Sequence, residues 1–298
     1  MTLLTRRASL LALAAGSAAF GLGGKARAQA TPDLDPIHPG KLVVAFTGDM
    51  PGTGWEGGKL VGVDGGMLQT IADRLHLTIE PAQMDWSATI ASVTAGRVDL
   101  MLGMMGWQKK RAEVMNLTDP LYYAGTRITQ RKETDYKSLA DLKGKRIAMM
   151  TGTMAVSEIE KVPGAHVALF DTLDEAVKAL IDKRVDLAFV DAQSVQYMMQ
   201  KDPALPIKSL SISDPYTAQF PATTAKWNVV IGIRKEEPKL TAAINRQIDA
   251  MWKSCENRKI AAKYGLGEAY WFTSPEHNDR AGVDRPVNWK QPVTQGCG

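Results

Sequence analysis

Short apolar runs alternate along the chain with longer stretches in which apolar side chains return every three or four positions. The run Lys41–Phe46 predicts a strand. Leu68, Ile71, Ala72 and Leu75 share one helical face and predict a helix over 67–75. A second helix is expected over 87–95, with Ile90 and Val93 inward and Gly96 as its stop. Strands are expected at 98–102, 146–150 and 185–190. Thr172-Leu173-Asp174-Glu175 reads as a capping box opening a helix that carries Ala176, Val177, Leu180 and Ile181. Strand-helix-strand units of this length predict parallel sheet covered by helices. Arg97-Val98-Asp99-Leu100 recurs as Arg184-Val185-Asp186-Leu187, each time between a helix and a strand. The repeat predicts two similar α/β lobes. Ligands of open α/β sheets bind beyond the carboxyl ends of the strands, so two facing lobes would hold one ligand between them.

The amino-terminal segment changes how the charge is read. Residues 1–30 contain Arg6, Arg7, Lys25 and Arg27, no acid, and a short apolar stretch from Leu10. This predicts a secretion signal cleaved near 28–30, at Ala26-Arg27-Ala28 or Ala28-Gln29-Ala30, and hence a periplasmic protein. Thr5-Arg6-Arg7-Ala8-Ser9-Leu10 resembles a twin-arginine signal, although Ser9 stands where that motif prefers Phe; an ordinary signal is the alternative. The chain has 36 Lys+Arg against 32 Asp+Glu, and subtracting the four basic residues of 1–30 leaves 32 against 32. The mature protein is therefore near neutral, which argues against a nucleic-acid partner. Cys255 and Cys297 are the chain's two cysteines. In an oxidising compartment they form a natural disulfide that would pin the polar tail to the last helix; two free thiols are the alternative.

Several segments, in unbroken order over about 41–272, resemble the periplasmic solute-binding proteins for polar amino acids, family 3. They are Gly58-Lys59-Leu60-Val61-Gly62-Val63-Asp64, Gln83-Met84-Asp85-Trp86, the stretch from Arg111 through Thr118-Asp119-Pro120 to Tyr123, and Ser138-Leu139-Ala140-Asp141-Leu142-Lys143-Gly144-Lys145. The resemblance implies the two-lobed periplasmic-binding-protein fold of type II, with two strand crossovers and the ligand in the interlobe cleft. Lobe one is expected at 41–125 and 234–275, lobe two at 126–233, and a C-terminal extension at 276–298. The crossings are expected at 122–127 and 229–233. The implied function is capture of an amino-acid-like molecule by a monomer that delivers it to the membrane permease of an ABC transporter.

An amino acid presents a carboxylate and an ammonium, so its site needs a fork donor and an acceptor. From the residues alone Arg111 reads as a surface arginine of the basic run Lys109-Lys110-Arg111; through the resemblance it matches the family's carboxylate-binding arginine. Asp191, ending an apolar strand, matches the amine-binding aspartate and could also cap the following helix. Thr153 stands at an expected helix start, where amides and a hydroxyl hold anions or simply cap the helix. Gly106 replaces the Ser or Thr usual five residues before the arginine, leaving backbone contacts only. Trp86, Trp55 and Trp107 would give the cleft an aromatic character suited to an apolar or cationic ligand portion, or would pack in the core. Asp49 could face a positive group or stabilise the turn before Pro51-Gly52.

Gly52-Thr53-Gly54-Trp55-Glu56-Gly57 fits a dinucleotide fingerprint, but turn and strand residues follow where a helix should start. No cofactor is expected. The four histidines have no metal-ligand spacing. An enzyme of the cyclohexadienyl-dehydratase type on the same fold is the alternative function, with Glu56, Asp49 or Asp191 as the acid. A sensory binding protein is a further one.

Overall fold

The computed structural model describes residues 34–151 and 155–294. The expected signal segment, Thr153 and Cys297 lie outside the described residues.

The chain opens with β1 (Lys41–Phe46), a hairpin of β2 (Gly54–Glu56) and β3 (Lys59–Val61), then β4 (Thr78–Gln83), β5 (Leu100–Leu102) and β6 (Asn116–Leu117). It crosses over as β7 (Tyr122–Gly125) and builds a second sheet from β8 (Arg127–Arg131), β9 (Arg146–Met150), β10 (His166–Phe170), β11 (Leu187–Phe189) and β12 (Ile207–Ser211). It returns as β13 (Lys226–Val229) and completes the first sheet with β14 (Gly232–Ile233).

The sheets have the orders β4-β1-β5-β14-β6 and β10-β9-β11-β8-β12. In each, the first three strands are parallel and the fourth runs antiparallel to both neighbours. The molecule is thus two lobes on one plan, the two-lobed type II fold. β1 shows why its run is almost wholly apolar. Leu42, Val44 and Phe46 pack on one side, against Met67, Leu68 and Ile71 of the helix Val63–Arg74. Val43 and Ala45 point to the other, with Val93, Val98 and Met101. A strand alternates its side chains between faces, and here both faces are covered.

The repeated tetrapeptide does the same work in both lobes. Asp99 Oδ2 accepts the Val43 amide (2.8 Å) at the start of β1. Asp186 Oδ2 accepts the Arg146 amide (2.9 Å) at the start of β9. The residue before each copy has left-handed backbone, Gly96 at φ 67° and Lys183 at φ 62°. Such a residue ends the preceding helix and turns the chain into the strand.

The crossing strands β7 and β13 pair with each other as an antiparallel ribbon: Lys226 with Gly125, Trp227 with Ala124, Asn228 with Tyr123, Val229 with Tyr122. The second crossing runs ahead of the expected 229–233, because Gly232 and Ile233 are already paired with β5 and β6 in the first sheet. Paired residues share a face. One face therefore carries Tyr122, Ala124, Trp227 and Val229, and the other Tyr123, Gly125, Lys226 and Asn228. The helix Pro238–Ser254 ends at Cys255, which is left-handed (φ 60°) and disulfide-bonded.

Candidate functional site

The carboxyl ends of the parallel strands carry most of the candidates. In lobe one, Asp49 follows β1, Trp86 opens the helix after β4, and Gly106 and Trp107 follow β5. In lobe two, Asp191 follows β11. Tyr122 of the ribbon brings the two ends together. Its hydroxyl donates to Asp64 Oδ1 (2.9 Å) at the start of a lobe-one helix. Burial lifts its pKa well above the usual tyrosine value, and the charges of Asp64 and Asp191 push it the same way.

Arg111 lies half-buried on the helix Lys109–Val114. Its Nη1 donates to the Gly106 carbonyl (2.5 Å), and its guanidinium carbon stands 5.6 Å from the centroid of Trp86. The helix start after β4 thus supplies a flat surface, the loop after β5 supplies an acceptor, and the two hold the fork in one direction. Arg111 makes no ion pair among the described residues, and burial presses its pKa down. Asp191 caps the helix Ala192–Lys201, its Oδ1 accepting the Ser194 amide (2.7 Å). The cap and the ammonium acceptor are compatible, since Oδ2 remains open. Asp191 is solvent-exposed. Desolvation raises its pKa, against the hydrogen bonds from Ser194. It has no cationic partner among the described residues.

Gly106 is glycine for a steric reason. A Cβ there would stand 2.9 Å from Cδ1 of Trp227, on the ribbon face that also bears Tyr122. Gly106 itself bridges to Val229. Trp107 turns to the other side, where its Nε1 donates to Asp284 Oδ2 (3.2 Å). Trp55 lies in the β2–β3 hairpin and packs on the lobe-one core. No helix begins at the glycine-rich stretch around it. Asp49 is exposed, and its carbonyl accepts the Thr53 amide (3.0 Å), closing the turn. The structure therefore groups Arg111, Trp86 and Gly106, sets Asp191 at a strand end of lobe two, and leaves Asp49, Trp55 and Trp107 in other contacts.

Three residues escaped the sequence reading: Asp64, Tyr122 as a polar link, and Trp227. Asp64 is fully buried and accepts both the Tyr122 hydroxyl and the Met104 amide (2.5 Å). Burial raises its pKa to about 6, against the hydrogen bonds from Met104, Tyr122 and Gly103. Met104 adopts φ 52° while aiming its N–H at this carboxylate.

Two lobes of one plan joined by a two-stranded ribbon are the architecture of a solute-binding protein. Residues 42–267 match the bacterial extracellular solute-binding proteins, family 3, and the chain belongs to that family. It is 26% identical over 262 residues to the probable amino-acid-binding protein YxeM of Bacillus subtilis, covering 86% of this chain and 94% of that one. It is 26% identical over 215 residues to the histidine-binding periplasmic protein of Salmonella typhimurium, covering 70% and 80%. Among solved structures it resembles an ancestral arginine-binding protein bound to arginine, at 27% identity and a TM-score of 0.56, covering 76% of this chain and 98% of that one.

Proposed function

We propose that this protein captures an amino-acid-like molecule between its lobes and delivers it to the membrane permease of an ABC transporter. One observation carries the reading. A guanidinium follows β5 in lobe one and a carboxylate follows β11 in lobe two, both beyond the carboxyl ends of parallel strands, and neither has an opposite charge among the described residues. Each is open to a charge-assisted hydrogen bond. A zwitterion would satisfy both at once, its carboxylate on Arg111 and its ammonium on Asp191. The names of the relatives, amino-acid-binding and histidine-binding, support this ligand class. Thr153, which the sequence places at an expected helix start, would add a hydroxyl to the carboxylate. The protein works as an exported monomer with residues 1–30 removed, and its lobes rotate about the ribbon.

A thermal-shift panel of amino acids, followed by calorimetry on the best member, tests the reading. Arg111→Ala should weaken binding by about 2 to 5 kcal/mol, roughly thirty-fold to several-thousand-fold. Arg111→Lys keeps the charge, loses the planar fork, and should also weaken it. Asp191→Asn should weaken binding while largely keeping the helix cap, since Asn also caps well. A panel with no stabilising member, or unchanged affinity in Arg111→Ala, would overturn the assignment.

A further inference from the structure

Residues 276–294 lie behind the ribbon, on the face away from Tyr122 and Trp227. The Tyr123 hydroxyl donates to the Pro292 carbonyl (2.6 Å), and Asn228 Nδ2 to Gln291 Oε1 (3.1 Å), so both crossing strands are held. At the centre is Arg280, 1% exposed. Its Nε and Nη2 reach the two oxygens of Asp284 at 3.1 and 2.6 Å. Its Nη1 and Nη2 also donate to the carbonyls of Thr118 (2.7 Å) and Leu117 (3.2 Å). Its guanidinium carbon lies 5.9 Å from the Trp107 ring centroid and 5.4 Å from that of Trp289.

A buried ion pair of this kind adds little stability compared with apolar residues of the same volume. What it supplies is direction. Asp284 Oδ2 takes the indole N–H of Trp107, so the pair grips that side chain by ring and by hydrogen bond. The backbone of Trp107 is stitched into the ribbon: its amide donates to the Asn228 carbonyl (2.8 Å), and the Val230 amide donates to the Met105 carbonyl (2.9 Å). Gly106 lies between them, and its carbonyl holds the Arg111 guanidinium. A continuous chain of contacts thus runs from Arg280 and Asp284, through Trp107 and Gly106, to the cleft.

We propose that Arg280 and Asp284 are positioning residues of the ligand site, which fix segment 105–107 on the ribbon and so aim Arg111 into the cleft. The proposal rests on the reading of Arg111 as the ligand's carboxylate anchor. Segment 276–294 is then a working part of the binding protein rather than a tail.

Two variants of the full chain test this. Trp107→Phe removes the indole N–H and part of the ring while keeping an aromatic face for Arg280. Arg280→Met combined with Asp284→Leu removes both charges, so that neither is left buried and unpaired. Hydrogen exchange is read at the Trp107 and Val230 amides, with Ala148 and Ala188 of lobe two as internal reference. The expected result is exchange about tenfold faster at Trp107 and Val230, the loss of one stabilising hydrogen bond, with the lobe-two amides unchanged. Binding of L-arginine as probe should weaken about tenfold in the same variants, with melting of the free protein nearly unchanged for Trp107→Phe. Unchanged exchange at Trp107 and Val230 would overturn the proposal, as would equal acceleration in lobe two, the mark of general destabilisation. The exchange measurement needs no ligand. Failure of wild-type protein to bind L-arginine would therefore fall on the choice of ligand and leave the exchange result decisive.

Discussion

The two copies of Arg-Val-Asp-Leu perform one task under different cover. In lobe one, Asp99 is 0% exposed and its carboxylate takes the amides of Val43 and Ile37, with Arg234 Nε at 3.4 Å. In lobe two, Asp186 keeps 22% of its side-chain surface and pairs with Arg146, which is half exposed. The motif sets the geometry, a carboxylate laid across the start of the first parallel strand. The covering layers set its energetic weight, because an unpaired donor costs most where water cannot reach it.

Asp99→Ala should be the most damaging change, leaving the amides of Val43 and Ile37 without their acceptor where water cannot reach them. A loss of about 3 to 5 kcal/mol in denaturant unfolding is expected. Acid titration of stability extends the contrast. Asp64, buried in lobe one, has its folded pKa raised to about 6 against about 3.9 unfolded. Its contribution is fully present below pH 4 and lost as pH rises through 6, at about 3 kcal/mol. Asp186 has the opposite sign: Arg146 lowers its pKa, so its contribution is present above pH 4 and lost as pH falls below it. In Asp64→Asn, the gain in unfolding free energy on acidification from pH 7 to pH 4 should shrink. An unaltered profile would show that Asp64 does not titrate in that range.

Asp186→Ala should cost only about 1 kcal/mol, since its ion pair is partly solvated. A loss equal to that of Asp99→Ala would remove the distinction between the lobes. The smallest effect belongs to the residue before each copy. Lys183→Gly places glycine at φ 62°, where lobe one already has Gly96, and should stabilise by up to about 1 kcal/mol. Thermal melts of Lys183→Gly and of the converse Gly96→Lys should move in opposite directions.

Much of the frame was legible. β1 lies where its apolar run placed it, and Thr172 caps its helix through the Glu175 amide. The first helix begins at Val63, ahead of the expected 67, because Gly65 and Gly66 hide its opening turn from propensity. The strand expected at 98–102 shortens to β5, Leu100–Leu102, since Asp99 is occupied with the neighbouring strand. Within the site, Arg111 could be singled out through its family-like surroundings. Trp227 could not: it meets Gly106 only after the chain has crossed to lobe two and returned. The missing side chain at 106 was the trace it left in the sequence.

The ribbon has a consequence for how such chains vary in length. Its strands are paired residue for residue, and neighbours along each strand alternate between the cleft and segment 276–294. One residue inserted into either strand would slide its register and exchange the two sets of side chains, turning Asn228 toward Gly106 and Trp227 toward Gln291. The pairing leaves the ribbon no room for an indel, and a one-residue insertion there should be far less tolerable than one in a surface loop of either lobe.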